Sequence, residues 1–249
     1  MEDLSIKKPV ITIRNLYKRF GENAVLNGFD MDLYEGENLV IMGKSGSGKS
    51  VMIKCLIGLE EHDSGTINVM GKDIDDLEAE ELDELRTEIG FLFQGSALYD
   101  SMSVRENLEF PLRRHTKKFG VIEDAEPLVM EALESVGLAK AIDLMPDELS
   151  GGMKRRIALA RTLILKPSII LYDEPTTGLD PITSKEIVQL MQKVQQQYKT
   201  SSIIITHDVD CARAIANRMI LLIDGKNYAE GSFDTLRKNH DPKIQAFFK

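Results

Sequence analysis

Apolar residues occur along the chain as short, largely β-branched runs, separated by longer stretches in which they recur every three or four positions. The short runs, bounded by turn residues, predict buried strands, and the longer periodic stretches predict amphipathic helices. The predicted strands are Val10–Ile13, Asn38–Met42, Gly65–Val69, Ile89–Phe93, Ile169–Tyr172, Ser202–Thr206 and Met219–Ile223. The predicted helices are Ser50–Leu59, Leu77–Arg86, Val104–Phe110, Glu123–Val136, Met153–Leu165, Thr183–Tyr198 and Val209–Asn217.

The order of these elements indicates the class of fold. Strands that are apolar throughout, and that alternate with helices, are typical of a parallel sheet covered by helices on both faces. From about residue 103 to residue 165, however, every predicted element is a helix, with Pro111, Gly137 and Pro146 separating them. The pattern therefore predicts a single α/β domain over residues 1–249, with a core at 1–95 and 160–249 and an inserted helical subdomain at 96–159.

Composition and charge argue against several classes of function for this chain. The formal net charge is -9, whereas general nucleic-acid binding needs an excess of Lys and Arg on one face. Cys55 and Cys211 lack the spacing of a zinc site or a disulfide framework, which fits a reducing compartment. Met1–Leu4 show no signal-peptide pattern, and apolar runs such as Met219–Ile223 are far shorter than the roughly 20 residues that span a bilayer. We expect a soluble chain whose membrane role depends on partners.

A glycine-rich loop follows the predicted strand Asn38–Met42, precedes a predicted helix and fits the pattern G-x-x-x-x-G-K-[ST]. It consists of Gly43, Lys44, Ser45, Gly46, Ser47, Gly48, Lys49 and Ser50. In such a loop the backbone N–H groups converge on phosphate oxygens, Lys49 reaches the β- and γ-phosphates, and the Ser50 hydroxyl ligates Mg²⁺. A Gly/Ser-rich linker is the alternative, but the flanking strand and helix favour a nucleoside triphosphate site.

Two adjacent carboxylates end the predicted strand Ile169–Tyr172. We expect Asp173 to serve the magnesium of the phosphate loop and Glu174 to face the γ-phosphate. A carboxylate in that place orients the attacking water and accepts its proton, which makes Glu174 the candidate general base. A surface acidic turn before Pro175 is the alternative, and the buried strand that precedes it favours the catalytic interpretation.

The segment Leu149–Met153 indicates the class of nucleotide-binding protein, because Leu-Ser-Gly-Gly resembles the signature motif of the ABC family. Ser150, Gly151 and Gly152 begin a predicted helix and form a second anion cradle. The resemblance implies that this cradle contacts the ATP of a second copy of the chain, so that two copies sandwich two ATP molecules head to tail. It also implies hydrolysis of ATP with Mg²⁺ by a P-loop NTPase fold, which has a RecA-like parallel-sheet core, an N-terminal antiparallel β subdomain and an inserted helical subdomain.

One position departs from the family pattern. Met153 stands where the family usually has Gln, and Lys154, Arg155 and Arg156 follow it. Because Ser and Gly make the phosphate contacts, the departure leaves the ATPase prediction unchanged. Three cations at a helix start are more often a solvated face than a nucleic-acid patch.

Four further residues gain a role through the resemblance. Gln94 resembles the Q-loop residue that coordinates Mg²⁺ or holds the attacking water, and His207 resembles the switch histidine that contacts the γ-phosphate. Asp180 lies in a segment similar to the D-loop at the dimer interface, and Phe20 matches the aromatic residue that stacks on adenine, with Tyr17 as a less well placed candidate. As single residues, Gln94 would more often be a surface amide and His207 a structural histidine, whereas Asp180 and Phe20 read equally well as part of a turn and as a core aromatic.

A transporter fits the chain better than the soluble ABC ATPases of DNA repair or translation, which carry a long insertion or two cassettes in one chain. Several segments are similar to the ATPases of MCE-type lipid transporters, the maintenance-of-lipid-asymmetry (Mla) group. They are Gly48–Val51, Phe93–Val104, Met153–Arg156 and Gly178–Thr183. This resemblance implies phospholipid transport between the membranes of a diderm bacterium, powered at the cytoplasmic face of the inner membrane. The implied partners are a multi-span permease and an MCE-type lipid-binding protein, with no nucleic acid.

Two alternatives stay open. An importer of amino acids or other small solutes would share every ATP motif, and an ABC ATPase that grips nucleic acid would share the cassette, although the net acidity weighs against it. The C-terminal segment Ile244–Lys249 is apolar enough to dock on a partner or on the twin subunit.

Overall fold

The computed structural model of the chain describes residues 8–120 and 122–248, and Met1–Leu4 and Lys249 lie outside these ranges. The strands are β1 (Pro9–Phe20), β2 (Asn23–Tyr34), β3 (Asn38–Met42), β4 (Ser64–Val69), β5 (Lys72–Asp73), β6 (Ile89–Leu92), β7 (Ile169–Asp173), β8 (Ser201–Ile205), β9 (Arg218–Ile223) and β10 (Lys226–Gly231). The helices are α1 (Lys49–Leu56), α2 (Ala79–Thr87), α3 (Val104–Arg114), α4 (Thr116–Phe119), α5 (Glu126–Ser135), α6 (Gly151–Leu163), α7 (Pro181–Tyr198), α8 (Val209–Ile215), α9 (Phe233–Arg237) and α10 (Pro242–Gln245). None of the helices in the described ranges is long and apolar enough to cross a membrane.

The chain forms two compact units. The first unit combines Met1–Leu82 with Thr200–Lys249, and the second unit is Asp83–Lys199. The subdomain limits drawn from the sequence, 96 and 159, fall inside the second unit, and that division stays a prediction.

The first unit contains a parallel arrangement in which β3 lies between β8 and β9. Every residue of β3 and β8 is buried, as expected for strands covered on both faces. Ile41 pairs with Ile205, so the two strands end at the same edge. The glycine-rich loop after β3 and His207 after β8 therefore leave the sheet together, at the edge where open α/β sheets bind ligands.

A second, antiparallel sheet of the first unit has the strand order β2-β1-β4-β5. It confirms the antiparallel subdomain that the family resemblance implied. Its buried face includes Ile11, Ile13 and Leu16 of β1, packed with Leu26 and Phe29 of β2. β1 is much longer than the predicted strand, and β2, β5 and β10 were not predicted at all.

The second unit contains the parallel pair β6 and β7, in which Leu92 lies opposite Tyr172. The residues that follow these strands, Gln94 after β6 and Glu174 after β7, therefore leave the pair at the same edge. Helix α6 packs against α3, α5, α7 and β6, which makes it the central helix of this unit.

The predicted helix boundaries lie within four residues of the structure, and the largest difference is at the end of α3. The sequence predicted that the helix starting at Val104 ends at Phe110, but α3 continues through Pro111 to Arg114. Val104, Leu108 and Leu112, spaced four residues apart, are all buried. Burial of this continuous apolar face favours the longer helix despite the roughly 3 kcal/mol that a proline costs inside a helix.

Candidate functional site

Close backbone approach requires two glycines of the loop at residues 43–50, Gly43 and Gly48. A Cβ on Gly43 would lie 2.4 Å from the Ser47 Oγ and 2.9 Å from the Leu222 carbonyl oxygen. Gly48 precedes the first residue of α1 with a φ of +102°, and a Cβ there would lie 2.9 Å from the Val25 carbonyl oxygen. Only glycine fits both positions, so the loop presents main chain rather than side chains.

The interior of this loop contains polar groups suited to an anion. The buried Lys49 ammonium donates hydrogen bonds to the carbonyl oxygens of Gly43 at 2.7 Å and Lys44 at 3.0 Å. The Ser47 Oγ is buried and has no hydrogen-bond partner among the residues that the structure describes. A buried hydroxyl in that state calls for an explanation, and a phosphate oxygen would accept its hydrogen bond. Lys44, Ser45, Gly46 and Ser50 are exposed around them.

The starts of helices α1 and α6 share one electrostatic feature, the lack of a nearby carboxylate. Among the described helices of eight residues or more, α1 and α6 alone have no carboxylate at the N-cap or in the first turn. The positive end of a helix dipole then has no acidic side chain to offset it. α1 starts in the glycine-rich loop and α6 starts at Ser150–Gly152, so both predicted phosphate cradles offer N–H groups to an external anion.

The start of α6 is fixed by a cap and by close packing. Ser150 is the N-cap, and its Oγ accepts a hydrogen bond from the Met153 N–H at 3.2 Å. Gly151 is exposed. A Cβ on Gly152 would lie 2.7 Å from the Thr183 Cγ2 of α7. Gly152 therefore lets α6 lie against the start of α7.

The carboxylates Asp173 and Glu174 are half-buried at the end of β7. Glu174 has a φ of +51°, a left-handed conformation that a non-glycine residue adopts at a cost of about 1–3 kcal/mol. Its Oε2 accepts a hydrogen bond from the Thr177 hydroxyl at 3.1 Å. Strain of this kind persists where the surrounding structure imposes it and is concentrated at active sites.

Gln94 and Asp180 lie in turns of the second unit. Gln94 is exposed directly after Phe93. Asp180 is the N-cap of α7, where its carboxylate accepts hydrogen bonds from the Ile182 and Thr183 N–H groups at 3.0 Å each. The hydrogen bonds from Thr183 hold the pKa of Asp180 below its ordinary value. The structure thus shows that Asp180 caps helix α7. Its predicted place at the dimer interface stays a prediction.

Of the two aromatic residues that could stack on adenine, Phe20 has the more accessible ring. Its side chain is 47% exposed at the end of β1, and the Lys18 ammonium lies 4.9 Å from its ring centroid. Lys18 is held in turn by Glu60 at 2.8 Å. Tyr17 instead lies against its own sheet, since a Cβ on Gly28 would be 2.9 Å from its hydroxyl oxygen.

Arg155 was missed by the sequence interpretation, which placed Lys154–Arg156 on a solvated face. For Arg155 that interpretation was wrong, because the residue is 4% exposed. Its guanidinium donates to the Phe93 carbonyl oxygen at 2.8 Å and to the Thr177 carbonyl oxygen at 3.3 Å. The sequence carried one signal of this burial, the helical spacing. Arg155 lies three and four residues before the buried Ala158 and Leu159, on the same face of the helix.

The structure thus brings the predicted residues together in two groups. In the first unit, the loop at 43–50 and His207 lie at one sheet edge, and Phe20 ends a strand of the antiparallel sheet. In the second unit, Asp173 ends β7, and Gln94 and Glu174 follow the paired strands β6 and β7. The oxygen atoms that these residues carry are the ligand type that Mg²⁺ prefers.

Comparison with known proteins places the chain among ATP-binding cassettes. The ABC transporter family profile matches residues 26–177. The chain is 41% identical over 217 residues to the methionine import ATP-binding protein MetN of Clostridium tetani, covering 87% of the chain and 67% of MetN. It is 40% identical to the probable ribonucleotide transport ATP-binding protein mkl of Mycobacterium leprae, over 95% of the chain and 68% of mkl. It is 37% identical to the intermembrane phospholipid transport system ATP-binding protein MlaF of Haemophilus influenzae, over 96% of the chain and 90% of MlaF.

A solved structure shares the architecture. It is the dimeric post-hydrolysis state of an ATP-binding cassette bound to ADP and Pi, with a TM-score of 0.80 and 33% identity over 90% of this chain and 98% of that one. The predicted fold class is confirmed by this similarity. The chain belongs to the ABC transporter family, as an ATP-binding subunit that hydrolyses ATP with Mg²⁺.

Proposed function

We propose that the chain powers the transport of phospholipid between the membranes of a diderm bacterium, as the ATPase of an MCE-type (Mla) system. The observation that carries this proposal is the similarity to MlaF, which extends over 96% of the chain and 90% of that relative. The segments Phe93–Val104 and Met153–Arg156 support the same group, because they resemble its ATPases at positions beyond the shared ATP motifs.

The residues take the following roles in hydrolysis. The N–H groups of residues 43–50 and the Lys49 ammonium hold the phosphates of ATP, and Ser50, Asp173 and Gln94 are the oxygen ligands of Mg²⁺. Bound Mg²⁺ neutralises charge on the phosphate oxygens. Glu174 orients the attacking water and accepts its proton, while His207 donates a hydrogen bond to the γ-phosphate.

The active form is a head-to-tail dimer. One ATP has one γ-phosphate, already held by residues 43–50, so the cradle of Ser150, Gly151 and Gly152 serves the ATP of a second copy. The absence of any acidic residue in the first turn of α6 supports this role. The dimeric state of the similar cassette with ADP and Pi supports it as well. Phe20 stacks on adenine, and Asp180 lies at the dimer interface.

An exposed aromatic cluster on the second unit suits a permease. It consists of Tyr99 and Phe110, which are 44% and 38% exposed, and the exposed Phe93 follows β6 in the same unit. The Tyr99 and Phe110 rings are in contact, with centroids 4.9 Å apart and planes tilted by 54°. Large exposed aromatic surfaces mark protein interfaces. Through this cluster the chain binds a multi-span permease and so lies at the cytoplasmic face of the inner membrane.

Purification of the tagged chain from native membranes, with mass spectrometry of the proteins that co-purify, tests the proposal. We expect a multi-span permease and an MCE-type lipid-binding protein. Tyr99→Ser should release the permease, whereas Leu59→Ser, at an exposed leucine of the first unit, should retain it. Recovery of a solute-binding protein or of nucleic acid in place of the lipid-binding protein would contradict the proposal.

Import of an amino acid is the second candidate, favoured by the 41% identity to MetN. The two candidates differ in what stimulates the ATPase of the reconstituted complex. Phospholipid vesicles should raise the rate if the complex transports lipid. Stimulation by methionine with its binding protein, and none by vesicles, would favour import.

A further inference from the structure

Arg155 is a buried cation whose hydrogen bonds join two turns of the second unit. It lies in the second turn of α6 and is 4% exposed. One guanidinium nitrogen donates to the Phe93 carbonyl oxygen at 2.8 Å, and the other donates to the Thr177 carbonyl oxygen at 3.3 Å. The buried Nε of Arg155 has no hydrogen-bond partner among the described residues.

The first turn that Arg155 holds contains Gln94. The Phe93 carbonyl oxygen also accepts a hydrogen bond from the Ser96 N–H at 3.0 Å, which closes a turn over residues 93–96. Ser96 and Ala97 have φ values of +61° and +49°. Two successive non-glycine residues in this conformation are strained, so the turn depends on outside contacts to keep its shape.

The second turn contains Glu174. The Thr177 N–H donates to the Glu174 carbonyl oxygen at 3.2 Å, and the Thr177 hydroxyl donates to the Glu174 Oε2 at 3.1 Å. Arg155 binds the Thr177 carbonyl oxygen at the end of this turn. The position of Arg155 therefore affects a residue that directly holds the Glu174 carboxylate.

The two hydrogen bonds of Arg155 stabilise the fold, but burial of the charge offsets part of that gain. Desolvation lowers the pKa of the Arg155 guanidinium, which shows that burial works against its charge. Replacing a buried charge by an apolar residue of similar volume is often neutral or stabilising. What the guanidinium adds is a planar fork with fixed geometry, which sets two carbonyl oxygens at a defined separation.

We propose that Arg155 is a positioning residue for ATP hydrolysis, which fixes the turns at 93–96 and 174–177 and thereby places Gln94 and Glu174 relative to the signature helix α6. The inference rests on the proposed roles of Glu174 and Gln94. Because Arg155 follows Ser150 on the same helix, a displacement of the helix start moves the guanidinium and, with it, both turns. Binding of a second copy at Ser150 is thus mechanically linked to the general base.

The primary test is Arg155→Met in the full chain, with hydrolysis rate and ATP affinity measured separately. Loss of both donors lets the two turns relax, and misplacement of catalytic groups by about 1 Å lowers kcat by about 100-fold. ATP affinity should stay within about threefold, since neither partner of Arg155 belongs to residues 43–50. Arg155→Lys, which keeps one donor, should recover part of kcat.

The neighbouring Arg156 supplies the matched control. Its guanidinium pairs with the half-exposed Glu186 at 2.6 Å and contacts neither turn. Arg156→Met removes the same charge from the same helix, and kcat should stay within about twofold, as for an exposed ion pair. Thr177→Val keeps the shape of the side chain but removes its hydroxyl from Glu174, so it should lower kcat as Arg155→Lys does.

A double-mutant cycle with Glu174→Gln separates positioning from general loss of structure. If Arg155 acts through Glu174, Arg155→Met should add little to the loss already caused by Glu174→Gln. Equal kcat for Arg155→Lys, Thr177→Val and the parent, with Glu174→Gln strongly impaired but measurable, would overturn this inference and leave the proposed function intact. Parent-level hydrolysis by Glu174→Gln would overturn the proposed catalytic role and this inference with it. If Arg155→Met fails to fold, the lysine and valine variants decide the outcome.

Discussion

The two predicted phosphate cradles are built in different ways. In the first unit, the loop at residues 43–50 is shaped by main-chain atoms, since a Cβ on Gly43 would meet a backbone carbonyl oxygen as well as a side chain. In the second unit, the start of α6 is shaped by side chains: the Ser150 cap, the Thr183 methyl against Gly152, and the Arg155 guanidinium behind them. Both constructions depend on residues distant in sequence, but the first is set by the backbone carbonyl oxygens of Leu222 and Val25, whereas the second is set by side chains.

The difference suggests a division of labour. A loop set by backbone atoms offers an ATP site within one copy of the chain. On the proposed roles, a cradle connected through side chains to Gln94 and Glu174 can transmit the arrival of a partner's ATP to Glu174. Substitutions in the first unit should therefore lower ATP affinity, whether or not they also slow hydrolysis, whereas substitutions in the second should affect hydrolysis or assembly.

The largest effect is expected for Lys49→Ala. It removes the only buried ammonium of the loop at residues 43–50, and loss of one such charge-stabilising group lowers the hydrolysis rate by at least about 100-fold. ATP affinity, measured with a fluorescent ATP analogue, should fall as well. Lys54→Ala, at an exposed position of the same helix α1, is the control and should leave both quantities at the parent values.

Gly43→Ala comes next. The added methyl group would lie 2.4 Å from the Ser47 Oγ and 2.9 Å from a backbone oxygen, so moving one side chain cannot relieve it. Backbone strain of about 1–3 kcal/mol corresponds to a loss of about 5- to 150-fold in ATP affinity. Gly231→Ala, where the nearest atom is 3.5 Å away, should bind ATP like the parent. Unchanged affinity for Gly43→Ala would refute the main-chain account of the loop.

Gly152→Ala should have a smaller effect than Gly43→Ala, and a second substitution should be able to reverse it. Its methyl group would press on the Thr183 Cγ2 at 2.7 Å, and no other heavy atom lies closer than 4.0 Å. The variant should show a lower unfolding midpoint in calorimetry, and adding Thr183→Ser, which deletes that methyl group, should restore it. No recovery in the double variant would mean that side-chain packing does not shape this cradle.

The smallest effect is expected for Asp180→Asn. Hydrogen bonds from Thr183 lower the folded-state pKa of Asp180, so the ionised carboxylate contributes stability that is present above the unfolded pKa of about 3.9. That contribution is lost as pH falls through the lower folded pKa. The parent should therefore unfold at a higher temperature than Asp180→Asn at neutral pH, with a difference that disappears in strong acid. A difference independent of pH would contradict this account of the cap.

The parallel strands were predictable from their apolar runs, whereas the antiparallel sheet was expected only through the family resemblance, and its strands β2 and β5 were missed. β3 and β8 are buried throughout and appear as continuous apolar runs. β1, by contrast, contains register shifts next to Asn15, whose φ is +49°, so its apolar positions change phase between Ile13 and Leu16. Such a bulge breaks the alternation that identifies a strand. β10 is polar at most positions and depends on its pairing with β9.

The site likewise contains residues that the sequence predicted and residues that it did not. Residues 43–50 could be recognised because their spacing along the chain is the spacing of the site. Arg155 could not be recognised as a connector, because its partners Phe93 and Thr177 lie 62 and 22 residues away in sequence. Only the packing of α6 brings them together. Motif patterns record contacts that are local in the chain, and the connections between motifs have to be read from the folded structure.

Mixing two inactive variants tests the central claim most directly, that each ATP is held by residues 43–50 of one copy and Ser150–Gly152 of the other. Lys49→Ala and Ser150→Arg should each abolish hydrolysis as pure proteins. In a head-to-tail heterodimer of the two, one site combines an intact Lys49 with an intact Ser150, so the equimolar mixture should recover roughly a quarter of the parent rate by random pairing. If both groups served the same chain's ATP, no combination would restore a site, and a mixture as inactive as its components would contradict the account.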